Sequence, residues 1–95
     1  MSKIGVVARV LSKEGKEDLA LDELQRMVAP TQKEPGCIKY VLHRNLNNPS
    51  DFWFVEEWES LECLDKHKQT PHYLRLTERK SEFAQSGEVV VICPL

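Results

Sequence analysis

The stretch Phe52–Trp58, Phe-Trp-Phe-Val-Glu-Glu-Trp, constrains the fold more than any other. As a strand it places Phe52, Phe54, Glu56 and Trp58 on one face and Trp53, Val55 and Glu57 on the other. Both faces carry apolar bulk, and Glu56 sits among large aromatics. From Ser60 the period changes. Leu61, Leu64 and His67 recur every third residue, which lines them along one side of a helix. Thr70-Pro71 then reads as an N-cap and a first helical residue, opening a second helix at His72. An acid, an indole and an imidazole are thereby expected at one strand–helix corner, framed by the rest of the chain.

Ile4–Leu11 reads as a first strand, with Ile4, Val6, Ala8 and Val10 alternating with Gly5, Val7, Arg9 and Leu11. Ser12–Gly15 is a turn. Lys16–Ala29 is helical: Ala20, Leu24, Met27 and Val28 form its inner stripe, and Glu17, Asp18, Glu23 and Gln25 are left outward. Pro30 and Thr31 are expected to stop it. Lys33–Gly36 turns into a second strand, Cys37–Arg44, with Ile38, Tyr40 and Leu42 facing one way and Cys37, Val41 and His43 the other. Asn45–Asp51 is a hairpin connection. The helix opened by Thr70-Pro71 runs from about Pro71 to Ala84. Its inner stripe is Tyr73, Leu76, Lys80 and Phe83, with the Lys80 stem along the edge. Arg75 and Arg79-Lys80 read as a solvated basic strip. Ser86-Gly87 ends the helix, and Glu88–Cys93 is a last strand, apolar on both sides.

The order β-α-β-β-α-(α)-β is the split βαβ arrangement: an α+β, ferredoxin-like fold with an antiparallel four-stranded sheet and helices on one face. Residues 1–95 are expected to form a single domain. A chain of this length buries only about 60–65% of the surface its unfolded form exposes. The apolar residues of the uncovered face need a second cover. The simplest is the same face of another copy, so a homodimeric α/β barrel is expected, with dimers of dimers left open.

A formal net charge of −2, with charges mixed along the chain, gives no pointer to nucleic acid or to an anionic membrane. No apolar run approaches the ~20 residues that span a bilayer, and no signal-peptide pattern occurs. Cys37, Cys63 and Cys93 are odd in number and widely spaced, which fits free thiols in a reducing compartment. The expectation is a soluble cytoplasmic protein.

Glu34-Pro-Gly-Cys-Ile-Lys-Tyr40, Phe52-Trp-Phe-Val-Glu-Glu-Trp58 and His67-Lys-Gln-Thr-Pro-His72, in this order, resemble the antibiotic biosynthesis monooxygenase domain over nearly the whole chain. Within that family it looks like the small quinol monooxygenases and the related autoinducer-degrading proteins. It implies a dimeric α+β barrel that oxidises aromatic phenols or quinols with molecular oxygen and without metal, flavin or haem. The haem-degrading branch of the family adds a first-strand Asn to a Trp and a His. Trp58 and His67 match that pair, but Ile4–Leu11 contains no Asn, which speaks against haem cleavage and leaves haem binding open. Fold transfers through such a match better than reaction does.

Oxygenation without a cofactor needs a substrate made electron-rich by deprotonation. The site must supply a base, donors for the resulting oxyanion and a dry cavity. His67 is the candidate base; its structural alternative is a helix histidine packed under Trp58. Glu56 is the second candidate catalytic residue. A buried carboxylate is costly unless paired, so its alternative is a tie to Arg9, Arg44 or a backbone amide. Trp58, Phe54, Tyr40 and His72 are candidate substrate-binding residues. Each also has a plain role: core packing for the three aromatics and the Thr70 turn for His72. His43 is expected to face solvent. A metal is not expected, because His67 and His72 lie five apart across a Thr-Pro break and no cysteine pair has zinc spacing. No phosphate loop or dinucleotide fingerprint occurs. Three readings follow. The first is a cofactor-free monooxygenase for a small quinol or phenol. The second is an isomerase or degradation enzyme for a small carbonyl compound. The third is a non-catalytic ligand-binding barrel.

Overall fold

The computed structural model describes residues 3–95. The elements are β1 (Ile4–Ser12), α1 (Glu17–Gln25), α2 (Val28–Gln32), β2 (Cys37–Asn45), β3 (Asn48–Trp58), α3 (Leu61–His67), α4 (Pro71–Phe83) and β4 (Ala84–Ile92). The strands form one antiparallel sheet in the order β2-β3-β1-β4, the ferredoxin-like arrangement expected from the element order. Residues directly opposite in such a sheet point to the same side. Tyr40, Glu56, Val6 and Val91 therefore make one row across it, and Leu42, Phe54, Ala8 and Val89 the next. These rows face the helices. Ile4, Val6, Val10, Phe52, Phe54 and Trp58 join Ala20, Leu24, Leu64, Leu76 and Phe83 in the core.

Several local expectations are corrected. The first helix breaks at Arg26-Met27, and Pro30 does not stop it. Pro30 lies in the first turn of α2, where a backbone N–H has no intrahelical partner to lose. Glu23 does not face outward: it is 3% exposed. On β2 an extra residue, Ile38, interrupts the register between Cys37 and Lys39. Cys37 is thereby turned inward with Tyr40 and Leu42, while Ile38 is exposed. β2 and β3 are joined at Leu46-Asn47, a tighter connection than Asn45–Asp51. Leu61 is exposed; Leu64 and His67 alone carry the buried side of α3. α4 passes directly into β4 at Ala84, so Ser86-Gly87 belong to the strand.

The far face of the sheet carries Val7, Leu11, Val41, Trp53 and Val55, all partly exposed, and Val90 and Ile92, exposed by 43% and 48%. No described element covers it. On this face Arg9 pairs with Asp51 at 2.8 Å and lies over Trp53. Arg44 lies over Phe52. Neither arginine is the partner expected for Glu56.

Candidate functional site

The site is assembled by the turn before β2. Gly36 has φ +83°, a left-handed conformation natural to glycine, and any β-carbon there would overlap the Cys63 side chain. The Gly36 carbonyl accepts from the Glu59 N–H at 2.9 Å. The turn is thus held against the start of α3, whose N-cap Ser60 accepts from the Cys63 N–H at 3.2 Å. His67 lies one helical turn beyond Cys63, on the same side, so the fastened turn delivers Glu34 to it. Thr70 then caps α4 by accepting from the Tyr73 N–H at 3.3 Å and donates its hydroxyl to the His67 carbonyl at 2.7 Å. That double contact sets His72 in the first turn of α4.

Glu34 Oε2 lies 2.8 Å from His67 Nδ1 and 2.6 Å from His72 Nε2. The His67 side chain is 3% exposed, against 10% for Glu34 and 20% for His72. Burial lowers the His67 pKa, outweighing the upward pull of the Glu34 carboxylate, so the ring is neutral near pH 7. A carboxylate at Nδ1 fixes the proton there and leaves the Nε2 lone pair free. Nε2 has no hydrogen-bond partner among the described residues. The ring is enclosed by Trp58 and Tyr73, with centroids at 4.8 and 5.0 Å, and by Tyr40 at 5.7 Å.

Glu56 is 7% exposed, and its hydrogen-bond donor is the indole N–H of Trp58, two residues along the strand, at 2.9 Å. Burial pushes its carboxyl up to about 7; the indole draws it down only in part, and the nearby Glu34 charge adds to the rise. This is a buried acid that changes protonation near neutrality.

His67, Glu56, Tyr40 and Phe54 line a cavity of about 50 Å³, closed further by Tyr73, Leu76, Lys80 and Val89. Water occupies about 30 Å³ in the liquid, so dioxygen or a water fits directly. An aromatic ring is larger than this space, so the wall must open to admit it. Tyr40 stacks on Phe54 with centroids 4.8 Å apart, and burial raises its phenol far above the usual range; it remains a hydrogen-bond donor. Trp58 stands behind His67 and Glu56, and His72 sits behind Glu34, neither forming cavity wall. His43 is exposed.

Glu34 escaped the sequence reading as a site residue. It lies thirty-three residues from His67, and its one local signal is its position before a Pro-Gly turn. Tyr73 and Lys80 were legible as an inner stripe but not as cavity wall. The spacing separates His67 from His72, yet the fold gathers both with Glu34, ligand atoms within 4.8 Å of one another. Two nitrogens and a carboxylate can hold a divalent cation; here they satisfy one another by hydrogen bonds.

The antibiotic biosynthesis monooxygenase family model matches residues 3–79. Among curated proteins, "Uncharacterized protein sll1783" of Synechocystis is 28% identical over 93% of this chain, which spans only 60% of that protein. "Putative monooxygenase Rv0793" of Mycobacterium tuberculosis is 28% identical, covering 99% of this chain and 93% of its own. Its solved structure superposes with a TM-score of 0.93, covering 99% of this chain and 96% of that one, at 28% identity. "Probable quinol monooxygenase YgiN" of Escherichia coli is 28% identical over 77% of this chain and 80% of its own. No helix among the described residues is long and apolar enough to cross a membrane.

Proposed function

Because the chain belongs to the antibiotic biosynthesis monooxygenase family, we propose that it oxidises a small quinol or phenol with molecular oxygen, using its own side chains as acid and base. The observation that carries this reading is the state of His67: neutral, sealed from bulk water, tied at Nδ1 to Glu34 and free at Nε2. Nε2 takes the substrate hydroxyl proton. The quinolate gives an electron to dioxygen, and the radical pair joins at a ring carbon as a peroxide, which takes back the proton held on Nε2. Loss of the hydrogen on that carbon as a proton then forms a carbonyl and breaks the O–O bond. Glu56 in its protonated form delivers a proton to the departing hydroxide and is restored by the proton the carbon gives up. One oxygen atom stays on the ring, the other leaves as water, and all four electrons come from the substrate, so a quinol becomes a hydroxyquinone. Phe54 and Tyr40 wall the ring, and the Tyr40 hydroxyl serves as oxyanion donor. Glu34 acts through His67 and is a positioning residue.

A second copy covers the far face of the sheet, whose partly exposed valines no helix reaches. Sedimentation at micromolar concentration is expected to give twice the chain mass.

A proton-shifting isomerase of a small carbonyl compound is the second reading, favoured by the small cavity and the neutral imidazole beside an acid titrating near 7. Oxygen uptake with a hydroquinone decides. The monooxygenase reading expects uptake that His67→Ala lowers at least about a hundredfold. Turnover of a carbonyl substrate that persists without oxygen would replace it with the isomerase.

A further inference from the structure

The residues lining the cavity run from buried to exposed. His67, 3% exposed, lies at the buried end beside Tyr73. Lys80 lies two helical turns further along α4, about 10 Å at 1.5 Å per residue. Val89, 54% exposed on the edge strand, lines the same space. Lys80 is half-buried and lines this mostly apolar space. It has no hydrogen-bond or ion-pair partner among the described residues, and burial alone pulls its pKa down. Arg75 and Arg79 of the same helix differ: both are tied to Glu23. An unpaired, partly desolvated ammonium is unfavourable without a compensating charge.

Lys80 and exposed Lys68 both line the cavity, while the acids gather around His67: Glu56 through Trp58, and Glu34 directly. Away from His67, the wall at Lys80 favours an anion. Resting on the reading of the cavity as a substrate site, we propose that Lys80 binds an anionic oxygen at the end of the substrate remote from the hydroxyl that His67 deprotonates. The substrate class is thereby narrowed to hydroxyarenes with an ionised oxygen, a phenolate or a carboxylate, across the ring from the reacting hydroxyl. Lys80 orients the ring, acid-bearing end outward, and its displacement from the cavity opens the room the ring needs.

The test is a binding titration, followed by tryptophan fluorescence, with 4-hydroxybenzoate and its neutral isostere 4-hydroxybenzamide. Wild type is expected to bind the anion about tenfold more tightly than the amide. Lys80→Met keeps the stem and is expected to lose that preference, while Lys80→Arg retains it. A melting temperature near wild type confirms that the variants fold. A preference that survives Lys80→Met, the absence of any preference in wild type, or no binding of either compound at millimolar concentration overturns the proposal. Oxygen uptake is measured separately with hydroquinone. A Lys80-dependent preference without uptake refutes the oxygenase and spares the anion site; uptake with unaltered selectivity in Lys80→Met does the reverse.

Discussion

Glu23 and Glu56 are both nearly sealed from water, 3% and 7% exposed, and the two regions that hold them treat the charge in opposite ways. At the seam of α1 and α4, burial would raise the Glu23 pKa, but Arg75, at 2.6 Å, and Arg79 outweigh it and hold the carboxyl below its ordinary value. In the cavity, Glu56 has an indole N–H and no cation, and burial wins. Burial therefore does not by itself make a reactive acid. What decides is whether a guanidinium accompanies it: the paired glutamate braces two helices, and the unpaired one stays available for proton transfer.

The strongest way to break this contrast is to exchange each acid for its amide. Glu56→Gln is expected to slow quinol oxidation about a hundredfold, near 2.7 kcal/mol of barrier. Glu23→Gln in the folded protein should leave the rate within about threefold. Comparable loss in both variants would erase the distinction.

Stability should respond in the opposite order. Glu23→Ala strips two guanidiniums of their partner and is expected to lower the melting temperature by about 10 °C at pH 7, read by circular dichroism. Glu56→Gln at pH 8 should raise it.

The pH dependence sharpens the same point. The folded-state pKa of Glu56, about 7, lies above the ordinary 4.5, so the folded protein holds the extra proton between those values. Its contribution to stability is complete below about pH 4.5 and lost as pH rises through 7. Relative to Glu56→Gln, wild type is expected to lose roughly 2–3 kcal/mol between pH 5 and pH 8 in denaturant titrations. Glu23 carries the opposite sign: its pKa is depressed, so its contribution is present above the ordinary carboxylate value and lost as pH falls through the lowered one.

The smallest effect is expected from Trp58→Phe. Removing the indole donor that draws the Glu56 pKa down should move the alkaline limb of the rate profile upward by about half a unit to one unit. A downward shift would assign the limb to another group.

Much of the fold was legible because its signals are local. The alternation over Phe52–Trp58 placed Phe52, Phe54, Glu56 and Trp58 on the buried face, as the strand shows. The change of period after Ser60 and the Thr70-Pro71 pair located both C-terminal helices. What remained hidden depends on distant partners. Glu23 looks like any solvated acid until α4 brings two arginines over it. Glu34 gains meaning only when Gly36 fastens its turn to α3. The inward turn of Cys37 comes from a single extra residue in β2, a bulge that no strand periodicity announces. Inward-facing positions were readable, since alternation and helical stripe both mark them, but not which of them wall the cavity: Tyr73 and Lys80 line it and Trp58 does not. The pairing of Glu56 with Trp58 rather than Arg9 or Arg44 was not: Arg9 lies on the opposite face, and Arg44 stands beside Phe52, four residues along the strand from Glu56, a placement that only the register fixes.

The carbon-13 titration of the Glu56 side-chain carboxyl, in protein labelled at glutamate and assigned with Glu56→Gln, tests the central claim most directly. A midpoint near 7 is the expected result. A midpoint at or below the ordinary 4.5 would mean that a cation reaches this acid after all, and that the cavity holds no proton donor near neutrality.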